Sequence, residues 1–515
     1  MNGNFECLAD ASVVRARLEA CGLSTAAAHA KAALIARCAG TLAAGGAAKD
    51  AVGRAFFVPG RIEVLGKHTD YAGGRSLIAA AEQGICLVAV PREDATIRAT
   101  ALDLAAEGSG ALSVEAPDPF CVDAATVGFP FSPDLSPTAG HWSNYLQTVA
   151  RRMAKNFFGS LCGADIAFAG DLPIAAGMSS SSAVMVACFL ALAAVNRLHE
   201  REEFHGNIVT AEDLAEYLGT VENGQTFRGL AGDKGVGTFG GSEDHTAMLC
   251  SQAGMLSQYA YCPTRLERRL PMPAGHVFAI ASSGIAAEKT GDAMEKYNRA
   301  SRLASDVAHV WCEATGRSDP HMAAALASAG LAASAERMRA ALQAKGAVPF
   351  SRCCEKGTVP FAASEKGTAP VSQQPETGAA PFSLLARFEH FFNESEEIVP
   401  SAGDALAAGD ALAAGDLPAL GRLVDLSQKL AEGFLGNQVP ETVFLARAAR
   451  ELGAAAASSF GAGFGGSVWA LVRCDEAERF LADWAARYRG AFPLPAARAA
   501  FFLSGAGPAA AELGI

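Results

Sequence analysis

Apolar residues recur at helical spacing in ASVVRARLEACGL and again in TAAAHAKAALIARCAGTLAAG, so residues 10–48 read as two helices. From Ala55 the texture changes to short apolar runs parted by Gly and Pro: AFFVPGRIEVLG, SLIAAA, GICLVAVPR, ATIRATAL and ALSVEA read as strands. ADIAFAGDLPIAAG reads as a strand entering a loop, and Ser182–Leu198 as a long apolar helix. HVFAIASSG and SVWALVRC are strand-like, each close to an Ala-rich helical pattern. Two stretches break the pattern. Residues 345–382 hold an approximate repeat (KGAVPFS, KGTVPFAAS, KGTAPVSQ), and residues 402–417 repeat AGDALA. Sequence of this composition rarely packs, so both are expected to be disordered insertions without chemistry.

The chain has 515 residues, enough for two to four domains. Its net charge of −12 is spread along the chain, which argues against a nucleic-acid or anionic-membrane partner that would be held by Lys/Arg contacts. Half of the residues are hydrophobic, but many of those are alanine, which buries little surface and points to helix-rich, small-residue packing. The longest apolar run, Ala183–Val195, is short of the about 20 residues a spanning helix needs. The N-terminus has no basic region ahead of an apolar stretch, so a cytoplasmic location is expected. Thirteen scattered cysteines without a CxxC pair suggest neither a disulfide framework nor a zinc site.

Candidate chemistry lies in three glycine-rich segments. VPGRIEVLGKHTDYAGG (Val58–Gly74) gathers Arg61, Lys67, His68, Asp70 and Tyr71, a cluster suited to a polyhydroxylated ligand whose every hydroxyl needs a fixed partner. A Walker A loop is excluded by five residues between Gly60 and Gly66 and by His68 where Ser or Thr belongs. The bland alternative is a polar surface hairpin. DLPIAAGMSSSSA leads straight into the apolar helix, so its N–H groups and Ser179, Ser180, Ser181 and Ser182 make an anion site for which phosphate is the natural guest. A single serine would serve as an N-cap. SSFGAGFGGS satisfies GxGxxG by letter, but a dinucleotide site needs a strand before and a helix after. Here AARELGAAAASS looks helical and VWALVRC strand-like, so an oxidoreductase is rejected and the glycines are expected to let backbone approach a ligand or another loop.

With these segments in place the chain resembles the GHMP small-molecule kinases and, within them, the galactokinases. GRIEVLGKHTDYAGG looks like the galactokinase signature, PIAAGMSSSSA like the family's phosphate loop and FGAGFGGSVWAL like its C-terminal glycine motif, in the same order; FFLSGAGPAA resembles the closing segment. The resemblance implies an α+β, two-lobed fold: an N-terminal helical segment (1–50), an S5-like N-terminal lobe (51–262) and a ferredoxin-like C-terminal lobe (263–515) interrupted by the repeats. It implies ATP with Mg²⁺ and transfer of the γ-phosphoryl to the anomeric hydroxyl of a sugar, galactose first, by a monomer without nucleic-acid or membrane partners. Carried over by motif, Asp244 and Arg61 are catalytic; Lys67, His68, Asp70, Gly241 and Tyr297 contact sugar; Gly177, Ser179, Ser180 and Ser181 hold the triphosphate; Ser181 and Glu222 lie at the metal.

These residue types suit the chemistry independently. Phosphoryl transfer is positioning plus stabilisation of spread negative charge. A carboxylate beside the attacking hydroxyl accepts its proton, and Arg61 next to Asp244 would favour the charged carboxylate. Glu243 is the competing carboxylate. Two departures from the family stand out. Lys67 occupies the position of the usual Glu, and an ammonium that only donates would suit a sugar acid such as galacturonate, unless Lys67 points to solvent or pairs with Glu63. GLAGDKGVGTFG (229–240) lengthens the segment between Glu222 and Asp244 and either extends a loop or reshapes the sugar pocket. A non-catalytic sugar sensor remains as an alternative from another class.

Overall fold

The computed structural model describes residues 5–48, 51–102, 125–136, 141–173, 176–287, 291–346, 383–408 and 415–514. It begins with α1 (Ala11–Ala20), α2 (Thr25–Ala44), β1 (Arg54–Leu65), β2 (Arg75–Pro91), β3 (Thr96–Ala101) and β4 (Ala125–Pro130). Next come α3 (Ser143–Asn156), β5 (Ala164–Gly170), α4 (Ser180–Val195), α5 (Glu202–His205), α6 (Ala211–Asn223), α7 (Glu243–Cys250), β6 (Met255–Ala260) and β7 (Arg265–Pro271). The second lobe holds β8 (His276–Ser282), α8 (Gly291–Thr315), α9 (Met322–Ala327), α10 (Leu331–Gly346), α11 (Leu384–Phe391), α12 (Val399–Ala407), α13 (Leu417–Leu430) and α14 (Pro440–Glu451). It closes with β9 (Ala456–Phe460), β10 (Ser467–Arg473), α15 (Ala477–Ala491), α16 (Pro493–Ala496), β11 (Ala500–Ser504) and β12 (Ala511–Leu513).

The first sheet runs β12-β1-β2-β5-β3-β4, with β6 also on β2 and β7 on β6; only β3 and β5 are parallel. The second is antiparallel, β11-β8-β10-β9. The architecture is α+β and two-lobed, and β7 and β12 bring residues beyond 262 into the first sheet. Both faces of that sheet are covered. On one, α3 and α4 pack Leu146, Val149, Val186 and Phe189 over Ile62, Val64 and Leu87. On the other, α1 and α2 pack Leu18, Ile35 and Cys38 against Phe57, Val88 and Ala169. α2 forms because Ala28, Ala32, Ile35, Ala39 and Leu42 make one buried stripe and the Ser24 hydroxyl caps its N-terminus.

Several expectations change. SLIAAA and GICLVAVPR are one strand, β2, because Gly84 serves close packing rather than a turn: a Cβ there would overlap the Val58 carbonyl and the Phe57 ring. The stretch 402–417 is expected not to pack, yet residues 402–407 belong to α12, whose Ala402, Ala405 and Leu406 recur at helical spacing and are buried, while residues 409–414 lie outside the described residues. ALSVEA and the repeat from 347 to 382 also lie outside them. AARELGAAAASS is not helical throughout, since α14 ends at Glu451 and β9 precedes the glycines. The dinucleotide exclusion therefore rests on the element after the glycines: β10 pairs with β9 as an antiparallel hairpin, and no helix starts there to receive a pyrophosphate.

Candidate active site

Arg61 leaves the middle of β1 and is buried, and it gathers carboxylates from two elements. Its Nε donates to Asp244 Oδ1 at 2.7 Å, in the first turn of α7, and lies 3.7 Å from Glu243; its Nη1 is 3.6 Å from Glu63. Nη2 donates to the Ser179 hydroxyl at 3.2 Å, linking this cluster to the serine loop. Burial alone would lower the Arg61 pKa, and the Asp244, Glu63 and Glu243 charges overcome it and raise it. Burial raises the pKa of Glu63, and burial followed by the Glu63 charge pushes Glu243 well above the ordinary carboxylate range. One guanidinium cannot neutralise three neighbouring carboxylates, two of them buried, so the Glu63–Glu243 pair retains a proton more readily than free acids do.

His68 and Asp70 stand on the turn after β1, and both are buried. His68 Nε2 is 3.1 Å from the Ala462 carbonyl and Nδ1 2.9 Å from the Tyr71 hydroxyl, which assigns the proton to Nε2. Burial, then the Arg387 charge, lowers the His68 pKa to about 3, so the ring is neutral. Asp70 accepts from the Glu243 N–H at 3.2 Å, and a Cβ on Gly241 would collide with its carboxylate, which is why that position suits glycine. Tyr297 on α8 lies beside His68, ring centroids 5.2 Å apart, with its hydroxyl against Gly240. Lys67 is different. Fully buried, it donates to the Ser427 hydroxyl at 3.0 Å, which in turn donates to Glu394 at 2.9 Å, and it does not line the crevice. The solvent-facing alternative for Lys67 is thereby overturned, and so is the surface-hairpin alternative for the whole segment.

The serine loop enters α4 through Ser179 in the left-handed region (φ 60°) with no side-chain cap bond, so the first N–H groups of the helix lack intrahelical partners. Against it sits the glycine loop after β9: Ser467 Oγ donates to the Ala176 carbonyl at 2.6 Å, and a Cβ on Gly461 would come within 2.7 Å of the Gly177 carbonyl. The glycines thus let two loops from different lobes meet backbone to backbone. The serine hydrogen-bonded to Glu222 is Ser182, at 2.8 Å, whereas the resemblance points to Ser181; His245 Nε2 lies 3.3 Å from the same oxygen. Among the described residues no cluster of three or more His, Cys, Asp or Glu could hold a metal on its own. The cysteines described are free, and no described helix is long and apolar enough to cross a membrane.

Arg61, Glu63, His68, Asp70, Asp244 and Tyr297 line a crevice of about 40 Å³. Beside it opens a cavity of about 1070 Å³, sharing Asp70, Tyr71, Gly219, Asn223, Gly240 and Gly241. With the geometry in hand, three family descriptions match the chain: the galactokinase galactose-binding signature at residues 46–91, the GHMP kinases N terminal domain at 144–233 and the GHMP kinases C terminal domain at 410–490. The chain carries the two domains of the GHMP kinases. The chain is 29% identical to a galactokinase of Roseiflexus sp. over 233 residues, 44% of the chain and 48% of the relative. It is 29% identical to one of Exiguobacterium sibiricum over 169 residues, 33% of the chain and 36% of the relative. It therefore spans about half or less of the length of these curated relatives. Its fold matches the crystal structure of Lactococcus lactis galactokinase complexed with galactose at a TM-score of 0.64, covering 89% of this chain and 95% of that one at 19% identity.

Within this site, sequence reasoning placed Ser182 in the serine loop but missed its bond to Glu222, and it missed the partnership of Glu63 with Glu243 and Arg387. The last donates to the His68 carbonyl and, at 3.3 Å, to the Tyr71 hydroxyl from 316 residues away, a pairing for which the sequence carries no local signal.

Proposed function

We propose that the protein is an ATP-dependent sugar kinase that phosphorylates the anomeric hydroxyl of a hexose, galactose first, as a cytoplasmic monomer. The observation that carries this reading is the Arg61–Asp244 pair tied through Ser179 to the N-terminus of α4. A triphosphate at that terminus would meet N–H groups without intrahelical partners, the serine hydroxyls of Ser179–Ser181 and the positive helix end. Arg61 then stands between the phosphates and Asp244. In the proposed reaction the sugar oxygen forms the new bond to γ-phosphorus while the bond from γ-phosphorus to the β,γ-bridging oxygen breaks, ADP leaves, and the hydroxyl proton passes to Asp244. Asp70, the Gly241 backbone and Tyr297 would hold the remaining hydroxyls, the Asp70 carboxylate accepting, while neutral His68, its N–H committed to the Ala462 carbonyl, would keep Tyr297 and Tyr71 in place.

Glu222 and the Ser182 hydroxyl bonded to it form a donor set of the kind Mg²⁺ uses when substrate phosphates supply the remaining oxygens, so the residues fit that ion. When bound, Mg²⁺ would neutralise charge on the phosphates. Because the crevice has room on the order of one or two waters, sugar entry requires Tyr297 or the glycine loop to shift. The galacturonate alternative loses its support, since Lys67 bonds Ser427 instead of facing the crevice. Coupled ADP-release assays across a panel of monosaccharides test the proposal. Sugar-dependent ADP release with galactose supports it; ligand-induced thermal stabilisation without turnover of any sugar would establish a sensor instead.

A further inference from the structure

The 1070 Å³ cavity abuts the crevice on the side away from the serine loop: it shares Asp70, Tyr71, Gly219, Asn223, Gly240 and Gly241 with the crevice, and none of Arg61, Asp244 or Ser179–Ser182 lines it. Its walls are the end of the 229–240 insertion, α6 and the outer face of α8. Resting on the sugar-kinase reading, we propose that this cavity is an extension subsite for a second, neutral sugar ring, so that the preferred substrate is a disaccharide phosphorylated at its reducing end.

Orientation comes first. An anomeric hydroxyl must lie by Asp244 and the phosphate loop, which directs the rest of the ring towards Asp70 and Gly241, and any group carried on its far hydroxyls into the cavity. Size comes second. Ligand pockets commonly run from about 300 to 1,000 Å³, so the volume here is that of a ligand with several more atoms than one hexose carries. A single small substituent would leave most of it as water.

The lining supplies the chemistry. Three cations line it: Lys345 is paired with Glu313, Arg302 with Glu295 at the rim, and Arg299 is not free either, while Glu216 and Asp306 on the same walls would repel a phosphate or a carboxylate. Neutral donors and acceptors, Asn223, Gln225, Ser301 and Ser305, match hydroxyls. Phe239, 47% exposed, lines the cavity and gives it an aromatic face on which the apolar face of a pyranose can stack.

The insertion is also held rigid. Asn298 receives the Phe239 N–H and donates to the Gly237 carbonyl, both at 3.0 Å; Asn223 donates to the Gly240 carbonyl at 2.9 Å; and Arg151 holds Asp233 at 2.6 Å. A loop fixed this firmly loses little entropy on binding. The reaction stays balanced: the new bond joins the reducing-end oxygen to phosphorus, and the glycosidic bond is untouched.

The test compares galactose with β-1,3-, β-1,4- and β-1,6-linked galactobioses bearing a free reducing end, using ADP release by the full-length chain. At least one galactobiose is expected to show a KM about tenfold below that of galactose. Ser305→Trp, which fills the cavity, should raise that KM by about tenfold or more and leave the galactose KM within about twofold; Phe239→Ala should raise it by about threefold or more, and serves alone if the tryptophan variant does not fold. Turnover of galactose without turnover of any galactobiose overturns the subsite while the kinase reading stands, as does an unchanged galactobiose KM in the variants. Turnover of neither sugar overturns both.

Discussion

Lys67→Met separates a structural role for this lysine from a substrate role. Lys67 and Glu394 are both fully buried and joined through the Ser427 hydroxyl, with the Gly66 N–H donating to the same Glu394 oxygen at 2.8 Å. Replacing the lysine leaves Glu394 in the interior with an oxygen that already lacks a partner, and removes a cation that also lowers the Glu63 pKa. Breaking a buried charge pair from one side costs about 3–5 kcal/mol. At about 2–4 °C per kcal/mol for domains of 150–250 residues, the Tm should fall by about 6–20 °C. The double variant Lys67→Met/Glu394→Gln should recover part of this, with a coupling of about 1 kcal/mol or more in a cycle of thermal or urea melts. The KM for galactose measured on folded Lys67→Met should stay within about threefold. A Tm change under about 2 °C together with a tenfold loss in kcat/KM would refute the reasoning and return Lys67 to the sugar.

Two other perturbations arise from the same geometry. The His68 pKa in the folded protein, about 3, lies below its ordinary value of 6.5, so its neutral burial contributes stability above pH 6.5 that is lost as pH falls towards 3. Stability should therefore decline in that window by up to about 1.4 kcal/mol per pH unit from this group, and a His68→Gln variant should flatten the decline in pH-dependent urea melts; parallel curves would contradict the assignment. Lys31 on α2 bonds Asp171, which accepts from the Gly84 N–H at 2.9 Å and begins the serine loop. Lys31→Met should raise the KM for ATP several-fold with kcat within about twofold, and equal losses with ATP and sugar would show that the loop is not what it positions.

Short-range pattern made much of this molecule readable. The stripe of α2, the apolar run of α4 and the strand character of β8 and β10 each follow from local spacing, and the three motifs marked the elements that meet at the site. Tertiary contact overrode local texture elsewhere. Gly84 looks like a break because a glycine between apolar runs usually turns the chain, whereas here it lets β2 pass close to Phe57. AAASSF looks like a continuing helix because alanine favours one, and pairing with β10 decides otherwise. Lys67 looks like a ligand contact because its partners, Ser427 and Glu394, lie more than 320 residues away in sequence.

At the centre stands the proposed phosphoryl transfer from ATP to an anomeric hydroxyl, in which Asp244 would take the proton. Its most direct measurement is phosphorus NMR of the product formed from galactose and ATP, alongside ADP release, for the wild type and Asp244→Asn. One sugar phosphate per ADP is expected, its phosphorus coupled to the anomeric proton, with a rate about 10²–10⁴-fold lower in the variant and an unaltered fold. Phosphate on any other carbon, or a variant as fast as the wild type, would contradict it.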